Sequence, residues 1–477
     1  MTSPMDNSAS TVLPKPQAWR ALAALCLGFF MILVDQTIIA VATPALQREL
    51  GASLNQVVWV TSIYLLCIVV PLFFTGRLGD RFGQRTVYQV GIAVFTLAAV
   101  AGAFAPSIEV LIATRAVQGL GAAILTPQTM SVINRVFARE HRGAALGVWG
   151  AVGSVASLVG PVLGGFIVGT VGWQGIFLLH VPVGITALIL AGLWVPRLPT
   201  YARRIDAPSV AVSILGMTAL VFAIQQGPEF GWPAWSVALL LSGLVLIALF
   251  IRLQATATRR GSEPLVPLEI FRNRNYSIGT FSIAMMGFTV SSMMLPIMVW
   301  LQEGRGLTSG QAGLMMVPMA VVAMIGSPIV GPLADRYHPR IMSMIGFGTV
   351  TGALLLAWGI MRIDAPVTAF LLPIALFGLG SAFVWAPNSA TAMRDVDIAH
   401  MGAASGVYNT TRQTGAVLGA AAVGAAMQVG AEQLGVVDGM ANALLLPSLA
   451  LFLGFLSVAF FRRTSPSPPV AGERARG

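Results

Sequence analysis

Long apolar runs, broken by short polar stretches rich in arginine, set the rhythm of this chain. Fourteen of them fall near residues 19–43, 56–75, 86–105, 107–131, 143–169, 174–195, 206–226, 233–253, 276–301, 311–333, 341–361, 366–392, 402–427 and 442–461. Each is close to the ~20 residues that carry a helix across a hydrocarbon core of about 30 Å. No soluble domain of useful size fits between them. The pattern predicts an all-α integral membrane protein with 14 transmembrane helices. Composition agrees: 56% of the 477 residues are hydrophobic and 10% are charged, against about 25% charged in soluble domains.

An even number of spans puts both termini on one side of the bilayer. Basic residues tell which, because short cytoplasmic loops carry the excess of Lys and Arg. With the N-terminus inside, 23 of the 28 Lys and Arg residues fall in cytoplasmic segments. Arg48, Arg305 and Arg362 fall outside, and Arg115 and Arg412 lie within spans 4 and 13. The net charge of +10 is therefore topology, and it gives no reason to expect a nucleic-acid partner. Residues 1–18 and the Pro/Ser-rich 463–477 are expected to be disordered cytoplasmic ends. With no cleavage-site pattern behind it, span 1 is expected to be retained rather than removed as a signal peptide.

Several function classes drop out. Lys15, the single lysine, lies outside any Gly-rich phosphate loop, so the chain has no ATP site of its own. The four histidines, His141, His180, His338 and His400, are scattered, and Cys26 and Cys67 both lie in spans, which indicates neither a metal site nor a disulfide framework. No catalytic constellation of an enzyme is present. A transporter needs only a polar path and two conformations, with no cofactor beyond protons as the coupling ion.

The chain also repeats itself. GRLGDRFGQR at 76–85, after span 2, and GPLADRYHPR at 331–340, after span 10, agree at Gly76/Gly331, Leu78/Leu333, Asp80/Asp335, Arg81/Arg336 and Arg85/Arg340. The offset of 255 residues covers eight spans rather than six. Two six-span halves, 19–197 and 261–462, are thus separated by two additional helices in 198–260. Such repeats are the frame of many secondary transporters, with the substrate site near the midplane between the halves.

GRLGDRFGQR resembles the signature loop of the major facilitator superfamily, and 6+2+6 spans is the layout of its fourteen-span drug:proton antiporter branch. LVDQTIIAVATP in span 1 is similar to that branch's first-helix motif, departing from it at Ala40, where an asparagine is usual. LIATRAVQGLGAA at 111–123 resembles its buried-arginine motif, and GSVASLVGPVLGG at 153–165 its antiporter motif. WQGIFLLHVPVG at 173–184 and GAASGVYNTTRQTGAVLGAA at 402–421 also resemble the branch. The resemblance implies the major facilitator fold and a multi-pass, monomeric exporter of the bacterial cytoplasmic (inner) membrane.

Of the 18 acids only Asp35 falls well inside a span. Burial raises a carboxyl pKa by up to about 3–5 units and a nearby cation lowers it. A movement that changes water access or the distance to Arg115 would therefore move its proton affinity. Each pKa unit is about 1.4 kcal/mol, comparable with the roughly 2.3 kcal/mol per charge that 100 mV supplies. An intramembrane arginine costs about 2.5–3.5 kcal/mol on insertion scales, so Arg115 should face the bundle interior, with Gln118 on the same face. It either ties helices together through backbone carbonyls or takes part in proton transfer, as the resemblance implies.

Gly153, Gly160, Gly164 and Gly165 around Pro161 allow close helix approach and a kink. This is simple packing, or a bent seam against the other half that slides or seals, as the resemblance to antiporters implies. Gly76, Asp80, Arg81, Arg85, Asp335 and Arg336 satisfy the positive-inside rule. By resemblance Asp80 and Arg81 would also clasp the halves, with Asp80 facing the N-terminal dipole of span 13. Arg412 is either a backbone-tied structural arginine or a source of positive potential in the cavity. His180, Trp300, Gln302, Trp385, Asn388 and Asn409 are candidates for its lining.

The expected mechanism is alternating access, with protonation of Asp35 from outside favouring release of a small lipophilic drug or antibiotic. The expected partners are that substrate, protons and the lipid bilayer. A single deep acid argues against strong selection for dications, and Arg115 and Arg412 would suit neutral, zwitterionic or anionic compounds. A transporter of lipid or cell-envelope components is the rival function. A nutrient importer is disfavoured by the motif in span 5.

Overall fold

The structure, a computed structural model, describes residues 12–200, 206–260, 262, 264–266, 268–363, 365–396 and 401–462. Among the described residues there are helices and turns but no strands. The spanning elements are α1 (Lys15–Leu50), α2 (Leu54–Phe82), α3 (Gln84–Ala103), α4 (Ile108–Val136), α5 (Arg139–Thr170) and a broken α6 (Gln174–Trp194). The additional pair follows as α7 (Ala207–Gln226) and α8 (Ala234–Thr256). The second half comprises α9 (Arg274–Gly304), α10 (Ser309–Leu314 continued by Val317–Arg336), α11 (Pro339–Arg362), α12 (Val367–Met393), α13 (Met401–Leu434) and α14 (Val436–Val458). Thirteen candidate spans are apolar and long enough to cross a bilayer among the described residues. The remaining helix, α5, runs 32 residues, which completes a fourteen-helix arrangement.

The helices overrun the apolar runs that announced them. α1 starts at Lys15, so Lys15–Ala18 are helical rather than part of a disordered end, and Leu13 N–H donates to the Val136 carbonyl at 3.0 Å. α13 continues to Leu434, beyond the run that ended near 427. The physical reason is simple: an apolar run marks the thickness of the hydrocarbon, whereas a helix can continue into water wherever its ends are satisfied. Local chemistry supplies those ends. Ser53 and Gln56 form a capping box at the start of α2, and Thr308 and Gln311 form another at the start of α10. Side chains such as Leu97 (70% exposed), Leu193 (71%) and Val245 (66%) face outward, as expected of a surface solvated by lipid, where backbone polar groups must be satisfied within the helices.

Two apolar clusters organise the bundle. One joins α1–α4 and α6 around Tyr64, Tyr88 and Phe95, and it also takes in Met217 and Val221 of α7 and Val417, Ala420 and Ala421 of α13. The other fills the second half around Trp300, Phe347 and Phe370. The additional pair is not a neutral spacer. α7 lies along α2 and α13, one helix from each half, and its Gln226 Oε1 accepts from Asn55 Nδ2 and Trp59 Nε1, both at 2.8 Å. In the following turn Glu229 accepts a hydrogen bond from Gln428 of α13.

Candidate functional site

Asp35 sits midway along α1, with Arg115 and Gln118 facing it from α4. It is 1% exposed and Arg115 and Gln118 are 0% exposed. Arg115 Nη1 straddles the carboxylate, 2.8 Å from Oδ1 and 2.7 Å from Oδ2, and donates to Gln118 Oε1 at 2.8 Å. Gln118 closes the ring by donating to Asp35 Oδ1 at 3.0 Å. α2 contributes the Val60 carbonyl, which accepts from Arg115 Nε at 3.2 Å, and the Tyr64 ring, 4.0 Å from the guanidinium carbon. Arg115 Nη2 is buried with no hydrogen-bond partner among the described residues. The three-residue spacing of Arg115 and Gln118 does the local work, since it puts both on one helix face.

Such a cluster is held by mutual satisfaction. Removing one partner of a buried pair leaves an uncompensated charge, at a cost of about 3–5 kcal/mol. Proton uptake by the carboxylate weakens its hold on the guanidinium, so the pair is a chemically sensible place for a proton to alter helix contacts. Ala40, where the motif departs from its relatives, packs in the apolar cluster that α1 shares with the second half. The hydrogen bonds of Asp35 come from α4 and do not depend on it.

Three of the candidates for the cavity lining are buried among neighbouring helices in this conformation. His180, 2% exposed, places Nε2 3.7 Å from Asp35 Oδ1, with its ring edge-on to Phe95. Trp300, 0% exposed, packs against Phe370 with ring centroids 5.2 Å apart and planes tilted by 35°, in the core of the second half. Asn388, 0% exposed, donates to the Gly279 carbonyl at 2.9 Å and to Tyr408 Oη at 2.8 Å, tying α9, α12 and α13 together. In each case full burial comes from a partner several spans away in sequence. Gln302 bridges the halves, donating to the Val41 carbonyl at 3.1 Å and accepting from Ser309 Oγ at 2.9 Å. Asn409 is partly buried on α13. Trp385 is 37% exposed, and the Arg412 guanidinium carbon lies 6.0 Å from its ring centroid.

The glycines of α5 divide between two neighbours. A Cβ on Gly153 would meet Phe29 and Leu33, and one on Gly160 or Gly164 would meet Thr37 or Ile38, all in α1 of the same half. Gly165 faces the other half instead: a Cβ there would stand 2.5 Å from the Ser309 carbonyl oxygen. A Cβ on Gly313 of α10 would likewise stand 2.5 Å from the Pro161 carbonyl oxygen. Among the described motif residues, Pro161 and Gly165 make the closest backbone approach to the other half, and the 160/164 face is taken by α1. With the Gln302–Val41 bond, these contacts close the halves on the arginine-poor side.

Gly76, Asp80, Arg81 and Arg85 occupy the end of α2 and the start of α3, and Asp335 and Arg336 the last turn of α10. Arg81 is exposed and Arg85 partly buried. The side chains of Asp80, Asp335 and Arg336 lie outside the described residues. The contact of His180 with Asp35 and the Gln226–Asn55–Trp59 cluster were not foreseen, since polar residues at span ends are ordinary at a membrane surface. The one available signal was Asn55 and Trp59 at i, i+4 facing a Gln225–Gln226 pair.

Among known proteins, the profile described as Major Facilitator Superfamily matches residues 25–420. An uncharacterised MFS-type transporter of Mycobacterium tuberculosis is 42% identical over 88% of this chain and 73% of its own length. The tetracenomycin C resistance and export protein of Streptomyces glaucescens is 30% identical over 86% of this chain and 76% of its own. A crystal structure of a D-xylose–proton symporter superposes with a TM-score of 0.67 at 14% identity, covering 93% of this chain and 97% of that one, a likeness of fold alone. With matching sequence, fourteen helices and a paired charge inside the bundle, the chain belongs to the Major Facilitator Superfamily and is a membrane transporter.

Proposed function

We propose that the protein is a proton-coupled exporter of lipophilic drugs or antibiotics, working by alternating access as a single chain in a bacterial cytoplasmic membrane. The arginine-rich side, with both termini, faces the cytoplasm. The observation that carries this reading is the buried Asp35–Arg115–Gln118 ring, the site of the only deep carboxylate in the sequence. The export function of the tetracenomycin C relative supports the direction of transport.

The contacts between the halves at Gly165, Gly313 and Gln302 support entry from the inner side. Substrate enters there from the cytoplasm or inner leaflet, and rocking about the seam opens the outer side. A proton arriving from outside neutralises Asp35 and loosens its hold on Arg115, which favours release and return. Discharge of the proton inside restores the pair. By resemblance Asp80 and Arg81, with Asp335 and Arg336 as counterparts, hold the halves together when the inner side is shut.

The test is proton-driven exchange in vesicles with Asp35→Asn, where the expected outcome is loss of coupling. Undiminished pH-driven transport by this variant would remove Asp35 from the mechanism.

A further inference from the structure

The two arginines inside the spans are housed in opposite ways. Arg115 has a carboxylate, an amide oxygen and a backbone carbonyl around it. Arg412 is only partly buried, and among the described residues its guanidinium has neither an ion pair nor a hydrogen bond. The Trp385 ring centroid lies 6.0 Å from its guanidinium carbon.

The backbone beneath Arg412 is fixed. Gly415 and Gly419 lie against the Ala284 and Phe288 backbones of α9, and Gly287 lies against the carbonyl of Arg412 itself. The Arg412 backbone is therefore held close against α9, with Trp385 of α12 beside the guanidinium. Tyr408, one turn earlier, already has its hydroxyl engaged by Asn388. An unpaired cation is costly within a membrane, and ionisable groups kept there usually mark a ligand path. A guanidinium offers a planar fork of donors suited to a carboxylate, and an exposed indole offers a flat apolar face.

We propose that Arg412 and Trp385 form an anion-recognising end of the transport site, so that the exported compounds include lipophilic acids. The carboxylate or phenolate of the substrate takes the free guanidinium donors, and its apolar body lies on the indole. This rests on the proton-coupled export proposed above and specifies its substrate class. It also fixes the charge moved. Exchanging one entering proton for one departing monoanion carries two positive charges inward, against one for a neutral substrate and none for a monocation. Each charge changes the attainable accumulation ratio by about 50-fold per 100 mV.

The test uses the full chain in phosphatidylcholine vesicles with three probes: fusidate as a lipophilic carboxylate, chloramphenicol as a neutral compound and ethidium as a cation. Fusidate export is expected to depend most steeply on an imposed potential, and Arg412→Gln to lower it at least tenfold more than ethidium export. Arg412→Lys, which keeps the charge but not the fork, is expected to fall between. Fusidate is expected to quench tryptophan fluorescence, and Trp385→Phe to remove most of that quenching.

Equal transport of fusidate by wild type and Arg412→Gln overturns the proposal, as does an equal loss of all three probes. Abolition of fusidate binding by added phosphatidylglycerol also overturns it, by assigning the guanidinium to a lipid headgroup. Absence of proton-driven export of every probe by wild type, or its persistence in Asp35→Asn, would instead refute the export reading.

Discussion

A methyl group at Gly165 or Gly313 should act as a wedge against closure of the arginine-poor side. In each case the new Cβ would lie 2.5 Å from a carbonyl oxygen of the other half. Ordinary contact begins at 3.4 Å, so the helices must part by about 0.9 Å. Overpacking of this kind costs typically about 1–3 kcal/mol. The cost exists only while the seam is closed, so it acts on the equilibrium between the two conformations. At about 1.4 kcal/mol per tenfold, the closed-to-open ratio on that side should fall by about 5- to 150-fold. Gly169→Ala is the control, because a Cβ there has nothing within 4 Å. Spin labels at Val171→Cys and Val437→Cys, 65% and 40% exposed, in a background lacking Cys26 and Cys67, would report the populations by pulsed electron resonance. Gly165→Ala and Gly313→Ala should enrich the longer distance. Distributions indistinguishable from that of Gly169→Ala would refute the seam as the closing contact.

The buried pair gives a second expectation: Asp35→Ala should lower thermal stability in detergent, by about 3–5 kcal/mol, and Arg115→Met added to it should restore much of the loss. A double variant no more stable than the single one would mean that Arg115 is satisfied without Asp35. His180→Asn removes an imidazole 3.7 Å from the carboxylate and should change the shape of the transport–pH profile. An unaltered profile would reduce His180 to packing. Gln226→Ala removes two hydrogen bonds to α2, each worth about 0.5–1.5 kcal/mol, and should lower the melting temperature. No shift would mean that apolar contacts alone hold α7.

Much of the fold was legible because a bilayer imposes one length and one polarity on every element. Arginine placement and the GRLGDRFGQR repeat then ordered the spans into halves. The site was legible in part for the same reason: a lone carboxylate and a lone arginine stand out in apolar runs. Their juxtaposition with Gln118 follows from helix spacing, but the presence of His180 beside them depends on how α6 leans on α3 through Phe95, which no periodicity encodes. The burial of Trp300 and Asn388 was not legible, because a polar or aromatic residue in a span reads the same whether it faces a cavity or a neighbouring helix. The division of the α5 glycines between α1 and α10 was also invisible, since close packing makes the same demand on either side.

The placement of α7 breaks the symmetry that the repeat would suggest. Two halves built alike should meet the bilayer alike along both of their seams. Here the α2–α13 seam is walled off by a helix bonded to α2 at Asn55 and Trp59, whereas beside the α5–α10 seam Phe166 and Leu314 are 66% and 60% exposed. One flank of the transporter is therefore shuttered by its own chain, and the other has only lipid for a wall. Rocking must strain α7, which is bonded to α2 through Gln226 and to α13 through the Glu229 turn, while at the opposite flank acyl chains alone fill whatever gap the motion opens.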